Sequence, residues 1–212
     1  MSKQSTSRGR RIRALRLRAV LSGGLVLGVG AAVTLASWTD NEFATGSFTS
    51  SVFDTQSSVN GAAYADNNVS PGPTVSIAGP FAPGVSSYFP VLIRTKANSV
   101  AGTLVLNGGI LGGPDAATLG AALVYRVVST TGTCAAAAFT GTPAFVVGAA
   151  GTTRPLTAGQ ETGVTNTLAA ASSAAPGAPT GFCFEVTLPA SAPNSLQGKT
   201  ATATWQFTAT SS

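Results

Sequence analysis

The sequence predicts an all-β protein, a jelly-roll-like antiparallel β-sandwich behind an N-terminal signal-peptide helix. Three observations predict it. The tail KTATATWQFTAT at 199–210 alternates apolar and polar residues without a break. Eight or nine short runs rich in β-branched and aromatic residues are separated by Gly and Pro. The chain opens on a basic stretch followed by an uncharged apolar one, the arrangement of an export leader.

The leader comes first. Seven of the twelve Lys and Arg residues lie within residues 1–18, and residues 19–35, AVLSGGLVLGVGAAVTL, carry no charge. Small residues Thr34 and Ala36 then occupy the −3 and −1 positions of a cut between Ala36 and Ser37. A cut after Ser37 would place the larger Leu35 at −3. The uncharged run from Ala19 to Thr39 is also long enough to remain as a membrane anchor, so the uncleaved leader is the expected route to a membrane. Arg10-Arg11 weakly suggests twin-arginine export. The expected division is a signal peptide at 1–36 and a single sandwich domain at 37–212. Beyond residue 36 five cations face seven acids, a net charge of −2, although the whole chain carries +5. The basic balance belongs to the leader, and a phosphate-binding patch for nucleic acid is not expected in the mature part.

Candidate strands follow in order at 43–48, 51–57, 74–78, 86–96, 101–107, 121–129, 144–148, 181–188 and 199–210. Pro90 argues that its strand is an edge or holds a bulge. In 181–188, Phe182, Phe184, Val186 and Leu188 form the apolar face, with Cys183, Glu185 and Thr187 opposite. In the tail, Ala201, Ala203, Trp205, Phe207 and Ala209 face the core and a row of threonines faces water. Turns are expected at Pro71-Gly72-Pro73, Pro83-Gly84, Gly108-Gly109 and Gly112-Gly113-Pro114. Residues 164–175 read either as a short helix or as a low-complexity loop.

In an exported chain two cysteines, Cys134 and Cys183, read as one disulfide. It closes a loop of about 50 residues, worth ~4 kcal/mol on a chain-entropy account. The chain has no histidine, which removes Ser-His-Asp triads, Cys-His pairs and HExxH zinc sites. Asp40 and Glu42 read as exposed charges rather than a glycosidase pair, and Asp66-Asn67-Asn68 as a turn rather than a calcium loop. Trp205 reads as core rather than as a carbohydrate platform. No enzyme, metal or cofactor is expected.

Residues 31–53, AAVTLASWTDNEFATGSFTSSVF, join an apolar run ending in small residues to an aromatic-x-Asp step and an F-A-x-G-x-F-like strand. Phe81-Ala82-Pro83-Gly84 then precedes two alternating runs, and the chain ends NSLQGKTATATWQFTATS. This pattern resembles the secreted Gram-positive proteins processed by a SipW-type signal peptidase, the TasA/camelysin family, in its high-GC form. The resemblance implies a jelly-roll sandwich and a role in the cell surface or biofilm matrix. It also implies that the segment freed by cleavage, 37–50, is donated as a strand to the next subunit, with Trp38, Phe43 and Phe48 as anchors. A head-to-tail contact of that kind does not close and builds fibres. Pairing of residues 43–57 within their own domain is the other reading. The protease activity described for camelysin is not carried over, because the chain has no histidine. The long arginine-rich start and the cysteine pair depart from the family pattern.

The expected function is therefore that of a secreted structural protein, with SipW-type peptidase and further copies of itself as partners. The alternative is a secreted adhesin or carbohydrate-binding module. The exported protein is expected to begin at Ser37. N-terminal sequencing with intact mass checks this, and an exported chain that retains Arg10 to Arg18 would contradict it.

Overall fold

A computed structural model describes residues 6–33, 42, 44–46, 50–74 and 81–212. The chain divides into two units, 1–48 and 49–212. In the first, helix α1 (Thr6–Val33) takes in most of the basic stretch and most of the apolar run. Among the described residues no helix is long and apolar enough to cross a membrane. The strand expected at 43–48 is not formed over residues 44–46, and its remaining residues lie outside the described ones. The strand expected at 74–78 lies outside them too, apart from Thr74, which is not in a strand.

In the second unit, alternating apolar residues make eleven strands among the described residues. They are β1 (Thr55–Val59), β2 (Ser86–Thr95), β3 (Gly102–Leu106), β4 (Ile110–Gly112), β5 (Val124–Ser129) and β6 (Ala144–Val147). Next come β7 (Arg154–Pro155), β8 (Asn166–Leu168), β9 (Thr180–Thr187), β10 (Thr202–Thr204) and β11 (Phe207–Ser211). One layer is the main sheet, in the order β1-β2-β9-β5-β6, with β7 also on β5. The other layer holds β11-β3-β8 and the pair β10-β4. All these pairings are antiparallel. The chain crosses between layers after β2, β4, β7, β8 and β9, the course of a jelly-roll-like β-sandwich.

The core lies between the layers and is built on β9. Phe184 stacks on Phe89 of β2 at 4.8 Å between ring centroids, and Phe182 meets Phe207 of β11 at 4.7 Å. Trp205 closes the group, 5.3 Å from Phe184 and 5.5 Å from Tyr125. Trp205 thus packs against the core, with its indole N–H over Gly109. Burial pushes the Tyr125 phenol up to about 12, and its hydroxyl donates to the Ala158 carbonyl. Gly102 is a close-approach site: a Cβ there would come within 2.7 Å of the Phe53 ring.

Four expectations need correction. The tail is two strands, not one: β10 pairs with β4, and β11 pairs with β3. Side-chain alternation runs through the break at Trp205-Gln206, because alternation records the face of a strand and not its partner. Residues 164–175 contain β8 and no helix. β2 is an interior strand despite Pro90. That residue lies just past the end of β1, and its carbonyl accepts the Asn60 N–H. Its missing donor therefore faces the side where β1 has already turned away. Finally, the supposed wet face of β9 is dry: Cys183 is fully buried and Glu185 is 6% exposed.

Phe184 lies against four other aromatic rings. Phe184→Ala should cost about 3–5 kcal/mol. Urea denaturation monitored by Trp205 fluorescence measures the loss; a midpoint unchanged from the parent protein would contradict this account of the core.

Candidate functional site

The residues expected to carry processing and donation, Ala36, Ser37, Trp38, Phe43 and Phe48, lie outside the described ones. Cys134 and Cys183 are brought together as a disulfide, with their Cα atoms 5.2 Å apart. Cys183 sits on the outer face of β9. Cys134 sits in the connection between β5 and β6, which folds over that face with a 3-10 turn at Ala136–Phe139. The bridge therefore ties a covering segment to the main sheet, and a buried disulfide fits an oxidising compartment.

Beneath this cover Arg126 Nε donates to Glu185 Oε2 at 2.6 Å, and the Tyr88 hydroxyl donates to Glu185 Oε1 at 3.0 Å. The strands place them there: Arg126 pairs with Glu185 across β5-β9, and Tyr88 pairs with it across β2-β9. Burial, followed by the nearby Glu185 carboxylate, raises the Tyr88 phenol. A buried pair of this kind is held by complete hydrogen bonding, and removal of one partner strands the other charge. Alternation placed Glu185 opposite the apolar face of its strand; that Arg126 lies beside it needed the strand register to be seen.

Strand edges decide what the sandwich can pair with. In β1 most of the outward groups are occupied. The Thr55 N–H bonds Asp54 Oδ1, Ser57 exchanges two bonds with Ala65, and the Val59 carbonyl accepts the Ala62 N–H. Residues 60–67 thus fold back as a cap. Asn60 (φ 54°) and Gly61 (φ 79°) make the reversal, and Asn-Gly is the dipeptide that favours such a turn. That signal was readable in the sequence. Lys96 holds the cap between Asp54 (2.7 Å) and Asp66 (2.6 Å), and the Arg94 guanidinium lies 3.7 Å over the Tyr64 ring. At β6 the Val146 carbonyl accepts the Glu161 N–H, and at β8 the Thr167 carbonyl accepts the Thr180 hydroxyl.

β11 differs. Asn107 donates to Gln206, and Ser212 donates to Ala101. With the β11-β3 register, these bonds turn the main-chain groups of Thr208 and Thr210 towards β3 and those of Phe207, Ala209 and Ser211 away from it. Among the described residues nothing pairs with these outward groups. The strand carries no charge, proline or bulge to blunt this edge. Elsewhere a cleft of about 440 Å³ opens between the end of β5, β6, β8 and the start of β9, lined by both polar residues such as Ser129, Thr165 and Asn166 and apolar ones such as Phe145 and Val164. Among the described residues no group of three or more His, Cys, Asp or Glu side chains is placed to hold a metal.

The β1 cap should loosen in acid. The Lys96 hydrogen bond, with Lys96 charge and the Thr55 N–H, holds the Asp54 carboxyl below its usual range against a smaller burial effect. A lowered carboxylate contributes stability that is present above its unfolded pKa and lost as pH falls through the folded value. Protection of the Ser57 and Ala65 amides from hydrogen exchange should be constant from neutral pH to about 4 and then fall. Lys96→Met should remove that dependence, and flat protection down to strongly acid pH in the parent protein would contradict the mechanism.

No protein-family model matches the chain, and no curated protein matches it.

Proposed function

We propose that this chain is an exported structural protein of the cell surface or biofilm matrix that assembles by adding a strand from one copy to the sheet of the next. The observation that carries this reading is the edge of β11, which has no partner among the described residues, in contrast to the capped edge of β1. A strand edge left without a cap, a charge or a proline is a template for further pairing. The near-neutral mature part offers little repulsion against self-association.

In this reading a SipW-type signal peptidase cuts between Ala36 and Ser37. The freed segment, 37–50, is the donated strand, and Phe207, Ala209 and Ser211 of the neighbouring copy are its hydrogen-bonding partners. Trp38, Phe43 and Phe48 add side-chain anchorage to the main-chain bonds. The resemblance to the TasA/camelysin family supports the same assembly, and the buried disulfide is compatible with an extracellular setting. No catalytic step is assigned. The second reading, a secreted adhesin or carbohydrate-binding module, is favoured by the cleft of mixed polar and apolar lining beside β8.

Electron microscopy and light scattering of the exported protein test the proposal. Fibres are expected, and Ala209→Pro should abolish them while the fold survives, because among the described residues nothing accepts or needs the Ala209 N–H. Thr210→Pro, which removes a ladder bond to Thr103, should destabilise the fold instead. A monomer at all concentrations, with hydroxyl-rich glycans bound in the cleft, would favour the second reading. Fibres unaffected by Ala209→Pro would reject the β11 edge.

A further inference from the structure

The segment between β5 and β6 is attached to the main sheet at few points. From Thr131 to Pro143 its main-chain hydrogen bonds are local: Gly132 N–H to the Thr130 hydroxyl, Ala138 N–H to Ala135, and Thr140 N–H to Ala137. Among the described residues none of them reaches the sheet it covers. Among the described residues its attachments are side chains: Ala138 is half-buried against the sheet, beside two main ones. One is the Cys134–Cys183 bond. The other is the Phe139 ring, 8% exposed as a residue, 5.9 Å from Tyr88 and 6.5 Å from Phe145, with the Arg126 guanidinium 5.1 Å from its centroid. These contacts form a small apolar cluster of Val128, Phe139 and Cys183, separate from the core between the layers.

The disulfide therefore joins neither the two layers nor two strands. Every strand of the main sheet keeps its ladder without it, and the inward rings of Phe182 and Phe184 are untouched. In the folded protein it fastens one covering segment to β9.

We propose that residues 131–143 are a redox-released strap: thiol–disulfide exchange at Cys134 frees them from the main sheet while the sandwich stays folded, uncovering the Tyr88–Glu185–Arg126 face. The two sulfurs are unequal. Cys134 is partly exposed and Cys183 is fully buried, so an external dithiol reaches Cys134. Its thiolate bonds to Cys134 Sγ, and Cys183 Sγ leaves with the electron pair and takes a proton. The second thiol of the reagent then displaces Cys134 Sγ. The protein gains two thiols, and the dithiol becomes a disulfide. With the bond gone, Phe139 and the half-buried Ala138 hold the strap, and local opening becomes cheap relative to unfolding of the sandwich.

The strap contains one aromatic residue, Phe139, and no Lys or Arg, so chymotrypsin reports on it directly. Full-length protein is treated with chymotrypsin before and after dithiothreitol reduction and alkylation, and cleavage sites are mapped by mass spectrometry. The oxidised protein should resist cleavage after Phe139. The reduced protein should be nicked there at least about tenfold faster, while the sites at Tyr125, Phe182 and Phe184 stay intact. Cys134→Ser without reductant should behave like the reduced protein. Equal rates at Phe139 in both redox states would overturn the proposal, since packing alone would then hold the strap. Cleavage at Tyr125, Phe182 and Phe184 appearing together with that at Phe139 would also overturn it, because the bond would then be a staple of the whole fold.

Discussion

The fold depends on strand β9 being dry on both faces. It is the middle strand of the main sheet, hydrogen-bonded to β2 on one side and β5 on the other. Its inner face carries Phe182, Phe184 and Val186, which need the second layer to cover them. Its outer face carries Cys183 and Glu185, which need a different cover. The sandwich meets the first need with aromatic side chains from β2, β5 and the tail around Trp205. The β5-β6 connection meets the second, held down by a covalent bond because so few of its own contacts reach the sheet.

That arrangement explains why Glu185 sits under a protein surface. A lone buried carboxylate would be costly. Here Arg126 and Tyr88 supply charge-assisted donors from both neighbouring strands, so the register of three strands is tied to one side chain. A slip of β5 or β2 against β9 by one residue would move its partner to the opposite face.

Much of this was legible in the sequence, and the gaps have physical reasons. β2, β3, β5, β6 and β9 were found within a few residues of their ends because their apolar alternation is long enough to show. The disulfide followed from two cysteines behind a leader. β4, β7 and β8 are two or three residues long and exist only because a partner strand lies beside them. Local pattern cannot report that. Cys183 and Glu185 look like a wet face because polarity does not reveal a cover brought from elsewhere in the chain. The capped edge of β1 was readable in Asn60-Gly61, whereas the outward groups of β11, unpaired among the described residues, follow only from ladder parity.

Assembly through that edge is the central claim, and parity offers its most direct measurement. Amide hydrogen exchange, resolved by residue, compares monomeric with assembled protein. The account predicts that Phe207, Ala209 and Ser211 gain protection on assembly, while Thr208 and Thr210, already bonded to β3, change little. Assembled protein in which those three amides exchange as fast as in the monomer would contradict it.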